Sequence, residues 1–174
     1  LKGSKIAVVG ETSYHWFLTY FATVCGVGVI VPLDKNLPQD ELKSLIERSH
    51  AKAIVFSKRM EKTIKPLFDE PGEIEYFISM SESENEKVLS LEHLIEEGNK
   101  LLSEGVRDFV DAEINPEEMA SLLFTSGTTG KSKGVMLSHK NIASNVVNVS
   151  KRVTLGKGCV VLSILPVHHT YENT

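Results

Sequence analysis

Four short apolar runs begin near Lys5, Val29, Ala53 and Glu75, about two dozen residues apart, and this cadence constrains the fold more than any other feature. One strand and one returning helix occupy that interval, because parallel strands need a crossover of a dozen or more residues. The runs are Ile6-Ala7-Val8-Val9, Val29-Ile30-Val31, Ile54-Val55-Phe56 and Tyr76-Phe77-Ile78. They are apolar at successive rather than alternate positions, as strands buried on both faces are. The expectation is an α/β fold, with one predominantly parallel sheet flanked by helices on both faces.

Helical patterns fill the gaps. The first is capped by Thr12 or Ser13, carries Trp16, Phe17, Tyr20, Phe21 and Val24, and stops at Gly26. The second follows Pro38 with Leu42, Leu45 and Ile46 on one face, and a third covers roughly residues 59–68. Residues 81–104 are acidic, and Leu91, Leu94, Ile95, Leu101 and Leu102 keep helical spacing there. This predicts an amphipathic surface helix whose glutamates form a solvated face. Later, Asn115-Pro116 turns into an apolar strand from Met119 to Phe124, and strand character resumes at Val135-Met136-Leu137. Ser138 then caps a helix with Ile142, Val146, Val149 and Val153 on one face, and a last strand runs from Cys159 to Leu165.

Between two of these strands lies Thr125-Ser126-Gly127-Thr128-Thr129-Gly130-Lys131-Ser132-Lys133. Its composition suits a polyphosphate. Gly127 and Gly130 let backbone N–H groups converge on one anion, the hydroxyls add donors, and Lys131 and Lys133 supply charge. A flexible surface turn is the bland alternative, since Gly and Ser mark turns; so many hydroxyls and two lysines after an apolar strand count against it. A Walker loop is excluded on two counts. Its first glycine would have to stand at Thr125, and it opens a helix directly, whereas Gly134-Val135-Met136-Leu137 is β-rich.

The segment Phe124 to Gly134, followed by Ser138-His139, resembles the signature loop of the adenylate-forming superfamily, which includes acyl-CoA synthetases, peptide-synthetase adenylation domains and luciferases. One departure is Ser132, where the superfamily pattern has proline. Val31-Pro32-Leu33-Asp34 is similar to the family's first core motif, with a structural role for Asp34. The segment from Leu165 to Glu172, Leu-Pro-Val-His-His-Thr-Tyr-Glu, looks like the fourth core motif as long-chain acyl-CoA synthetases write it. The resemblance implies that residues 125–131 and Lys133 bind phosphate, that Thr125 contacts Mg²⁺, and that His169 borders the acyl pocket. It also implies ATP, Mg²⁺ and coenzyme A as ligands of a fatty acid–CoA ligase. The alternatives are the adenylation domain of a peptide synthetase or another acyl-adenylate ligase, and a non-catalytic nucleotide-binding module.

Length and charge set the remaining expectations. At 174 residues the chain is long enough for one well-cored unit. The family's ribose-binding Thr-Gly-Asp and its Tyr-Gly-x-Thr-Glu motif do not occur in it. The expectation is therefore a single αβ subdomain, part of a larger AMP-binding domain, and inactive by itself. A net charge of −4 argues against nucleic acid as a partner. Small-molecule substrates are expected instead, with peripheral membrane association of the parent through its lipid substrate. Residues 16–33 are uncharged and have about the minimum length of a spanning helix, but Gly26, Gly28 and Pro32 interrupt them. Cys25 and Cys159 lie among apolar neighbours without a metal-like spacing, and are expected as buried thiols in a cytoplasmic protein. The loop from Gly127 to Lys133 has little apolar area to bury, so it is expected to be the least ordered segment.

Overall fold

The strands are β1 (Lys5–Val9), β2 (Val29–Leu33), β3 (Ala51–Phe56), β4 (Tyr76–Ser79), β5 (Val88–Ser90), β6 (Met119–Thr125) and β7 (Lys133–Ser138). The helices are α1 (Tyr14–Ala22), α2 (Gln39–Ser49), α3 (Glu61–Ile64), α4 (Leu91–Ser103) and α5 (His139–Ser150). These are taken from a computed structural model that describes residues 2–125, 132–153, 156–160, 162 and 166–168. The strands form one seven-stranded sheet in the order β5-β4-β3-β1-β2-β6-β7. Every neighbouring pair is parallel except β6 and β7, which are antiparallel.

The central strands bury both faces, as their unbroken apolar character requires. Ala7 and Val9 of β1 point into one core with Leu42, Leu45 and Ile46 of α2 and Ile64 of α3. Ile6 and Val8 point the other way, against Trp16 and Tyr20 of α1, with Leu91 of α4 at the margin. Helices therefore cover both faces. In β3 this alternation slips once: Ala51 and Ala53 face opposite cores, and the β1–β3 register shifts between Lys5 and Ile6. One extra residue in a strand does this, because side chains change face at each step.

Local chemistry sets several element ends. Ser13, not Thr12, caps α1, its hydroxyl accepting the Trp16 N–H at 3.2 Å. A single π turn, Thr23–Val27, closes that helix at Gly26, whose φ of 149° lies where L side chains rarely go. Ser138 and Asn141 form a reciprocal capping box at the start of α5.

Four features depart from the sequence expectation. The helix expected over 59–68 is broken into 3-10 turns at Lys58–Met60 and Lys65–Phe68 around one α-turn, and Pro66 lies in the second. β5 is a short edge strand inside the acidic stretch. Cys25 and Cys159 are both exposed rather than buried: Cys25 sits on the π turn, where the chain leaves the apolar face of α1. Finally, Cys159, Val160 and Leu162 are not in a strand, and Val160 and Leu162 are 97% and 81% exposed. The rest of that expected strand lies outside the described residues.

Ion pairs decorate the surface and make stability pH-dependent in a defined direction. The Lys58 ammonium, 2.8 Å away, and then the Ser83 hydroxyl hold the Glu61 carboxyl below the usual carboxylate range. A carboxyl lowered on folding adds stability above its unfolded value, about pH 4, and loses it as pH falls through the lower folded value. Urea midpoints measured at pH 7 and at about pH 3 should therefore differ less in Glu61→Gln than in the unmodified chain. An identical difference would mean that the pair contributes nothing.

Candidate functional site

Parallel sheets gather ligands beyond the carboxyl ends of their strands, and the Thr-Ser-Gly-Lys stretch begins at such an end. Ile30 lies opposite Ser121 in the parallel β2–β6 pair, so Leu33 and Phe124 finish at the same level. Thr125 is the last residue of β6 and Lys133 the first of β7, and the two are paired across the ladder. Residues directly opposite in an antiparallel pair project from the same face, with Cβ atoms about 5 Å apart. A hydroxyl and an ammonium group thus emerge side by side, both exposed. Phe124 and Gly134, the adjacent pair, project from the other face, where Phe124 packs against the core beneath α2.

Beside Phe124 lies an arrangement that periodicity could not reveal. The Arg48 guanidinium stands over the Phe124 ring, 5.4 Å from its centroid. Its Nη2 donates to the Ser132 carbonyl at 2.6 Å. Ser132 in turn donates its hydroxyl to Glu41 Oε1 at 3.3 Å. Glu41 and Arg48 lie seven positions apart on α2, which is two helical turns on one face. A sequence reader sees only two charged positions beside an apolar stripe.

Along the same sheet edge, an open-sided cavity of about 290 Å³ lies beyond β1 and β2, bordered by Gly10, Thr12, Asp34, Lys35 and His168. His168 Nε2 comes within 3.6 Å of Asp34 Oδ2. Asp34 also folds the turn into α2, accepting the Asn36 backbone N–H at 2.9 Å and its side-chain amide at 3.0 Å. Val167 is buried against the α1-side core, which seats this segment at the carboxyl edge. Nearby, burial raises the Glu11 carboxyl, but hydrogen-bond donors and the charges of Lys35 and Arg59 outweigh it and leave it below the ordinary range. A larger recess of about 350 Å³ opens beside Val29 and Met119, at the amino ends of β2 and β6, away from Thr125.

Of the expected site residues, Thr125 and Lys133 are brought together, whereas Ser126, Gly127, Thr128, Thr129, Gly130, Lys131 and His169 lie outside the described residues. So does most of the segment expected to be least ordered. Its described exit, Ser132, is held by α2. Among the described residues no cluster of His, Cys, Asp and Glu could hold a metal ion, and no helix is long and apolar enough to cross a membrane. A Mg²⁺ ion would depend on hydroxyl and phosphate oxygens. The exposed Thr125 hydroxyl fits that donor chemistry.

Comparison with known proteins bears on the family and the fold. The chain is 29% identical over 180 residues to the peroxisomal long chain acyl-CoA synthetase 6 of Arabidopsis thaliana, covering 98% of this chain and 25% of that protein. It is 27% identical over 177 residues to long-chain-fatty-acid–CoA ligase 1 of Schizosaccharomyces pombe, covering 98% and 26%. The fold matches a long-chain-fatty-acid-CoA ligase (FadD1) from Archaeoglobus fulgidus with a TM-score of 0.80 and 26% identity, over 99% of this chain and 32% of that one. ATP-bound MatB from Rhodopseudomonas palustris matches with a TM-score of 0.71 and 25% identity, over 99% and 32%. The chain thus spans about a quarter of the length of these curated relatives. The AMP-binding enzyme family matches residues 1–174, from end to end, and the chain belongs to that family.

Proposed function

We propose that this chain is the phosphate-clamping αβ part of an ATP-dependent fatty acid–CoA ligase. The observation that carries the reading is the Thr125–Lys133 pair at the carboxyl end of β6, at the two ends of the Ser-Gly-Thr-Thr-Gly-Lys-Ser stretch. In the proposed reaction a fatty acid carboxylate oxygen attacks the α-phosphorus of ATP, and the bond to the β-phosphate oxygen breaks to release pyrophosphate. The coenzyme A thiol, losing its proton to solvent, then attacks the acyl carbon, and the bond from that carbon to the phosphate oxygen breaks to release AMP. The barrier in the first step is charge, because an anion approaches a polyanion. The Lys133 ammonium and the hydroxyl of Thr125, with backbone N–H groups between them, would neutralise the β- and γ-phosphates and stabilise the leaving pyrophosphate. Mg²⁺ would be held by Thr125 and the phosphate oxygens, adding Lewis-acid stabilisation of the same charge. The first step needs no general base for its attacking group, since a carboxylate is already ionised near neutral pH.

Titration of MgATP and of pyrophosphate into the purified chain tests the clamp. Binding should be weak and Mg²⁺-dependent. Lys133→Ala and Thr125→Ala should each weaken it by about 1–3 kcal/mol, the value of a charge-assisted contact. Equal affinity in both variants would remove these residues from the site. Absence of binding in the unmodified chain would defeat the reading itself.

A further inference from the structure

We infer that Arg48 is a positioning residue for the phosphate loop, one guanidinium holding both the strand that enters the loop and the residue that leaves it; this rests on the phosphate-binding reading above. The guanidinium carbon lies over the ring of Phe124, one residue before Thr125, while its Nη2 donates to the Ser132 carbonyl, one residue before Lys133. Arginine can do both at once, because its planar fork leaves the face free for an aromatic ring while the edge donates. Lysine cannot. Glu41 adds a second tie to the same residue through the Ser132 hydroxyl. The strand opposite is already tight: a Cβ on Gly134 would come within 3.2 Å of Leu122 Cδ1 and 3.7 Å of Phe124 Cε1.

The need for such a restraint follows from the chemistry of the loop. Backbone N–H groups converge on a phosphate only when the loop's ends are fixed, and any ordering left until binding subtracts from affinity. Proline, which the superfamily pattern carries where this chain has Ser132, restrains the chain through its ring by fixing φ. Here two side chains of α2 restrain the same residue from outside. Arg48 touches no reacting atom; it acts through Phe124 and Ser132.

Four forms of the chain separate restraint from simple charge: unmodified, Arg48→Ala, Arg48→Lys, and Arg48→Ala combined with Ser132→Pro. Arg48 is exposed and outside both cores, so unfolding midpoints should stay together. With MgATP and inorganic pyrophosphate as probes, Arg48→Ala should raise Kd about tenfold, the equivalent of one charged hydrogen bond. Arg48→Lys should recover little of this, whereas the added proline should recover most. A purely electrostatic role would give the reverse order and overturn the inference. Without ligand, trypsin should cleave after Lys133 several-fold faster in Arg48→Ala, because cleavage tracks the open population. If the unmodified chain binds neither probe yet Arg48→Ala is cut faster, the restraint stands and the phosphate reading falls. Equal cleavage, or equal Kd where the unmodified chain binds, would show that Arg48 positions nothing.

Discussion

Gly28→Ala should destabilise the fold by about 3 kcal/mol, whereas Gly98→Ala should stabilise it by about 0.5–1 kcal/mol. The chemical change is the same, so the difference lies in what the new methyl group meets. At Gly28 an ideal Cβ would stand 2.0 Å from the Ser4 carbonyl oxygen, and real Cβ atoms essentially never approach closer than 3.0 Å. Its φ of −176° is ordinary extended backbone, so the constraint is close approach and not conformation. The oxygen it would strike accepts the Val29 N–H at 2.9 Å, beside the first paired residues of β1 and β2. Moving either chain opens the centre of the sheet, where few side chains could adjust to compensate. Gly98, within α4, has nothing within 4 Å of its Cβ position, so alanine there gains helix propensity at no steric cost. Equilibrium urea unfolding of the two variants checks both signs. A Gly28→Ala midpoint equal to that of the unmodified chain would show that the β1–β2 junction yields easily.

Those two glycines also mark the limit of what was legible beforehand. β1, β2, β3, β4 and β6 could be read because a strand buried on both faces must be apolar at every position, and that leaves a local record. β5 leaves none. It is three residues long, its Leu89 is 42% exposed at the sheet edge, and only pairing with β4 makes it a strand. The apolar periodicity of α5 identified the helix correctly but not its environment, since Val146 and Val149 remain 41% and 43% exposed. For Cys25, apolar neighbours suggested burial, yet composition around a residue does not say which way a turn points it. The Thr125–Lys133 stretch stood out because glycines, hydroxyls and lysines crowd together after an apolar strand. The Arg48 bridge was not, since Arg48 and Ser132 are 84 positions apart and only the tertiary fold brings them together.

Given ATP, Mg²⁺, a fatty acid and coenzyme A, this chain by itself should release no pyrophosphate above the uncatalysed background. Acyl-adenylate formation needs the carboxylate and the α-phosphorus held in line, which takes an acyl pocket and an adenine and ribose site as well as a phosphate clamp. Fixing reactants in that way supplies roughly 7–11 kcal/mol of a barrier. The proposed clamp alone would hold the leaving group and leave the nucleophile free to diffuse, so nearly all of that stabilisation would be forfeited. The 174 residues contain neither the Thr-Gly-Asp nor the Tyr-Gly-x-Thr-Glu pattern that the superfamily resemblance would assign to the nucleoside. They align with only about a quarter of each long-chain relative. A pyrophosphate-release assay on the purified chain, with the MgATP titration run beside it, checks the prediction. Retained binding with no turnover is the expected outcome. Turnover that disappears in Lys133→Ala would place a complete catalytic set within these residues, and would mean that orientation comes from groups other than the nucleoside motifs.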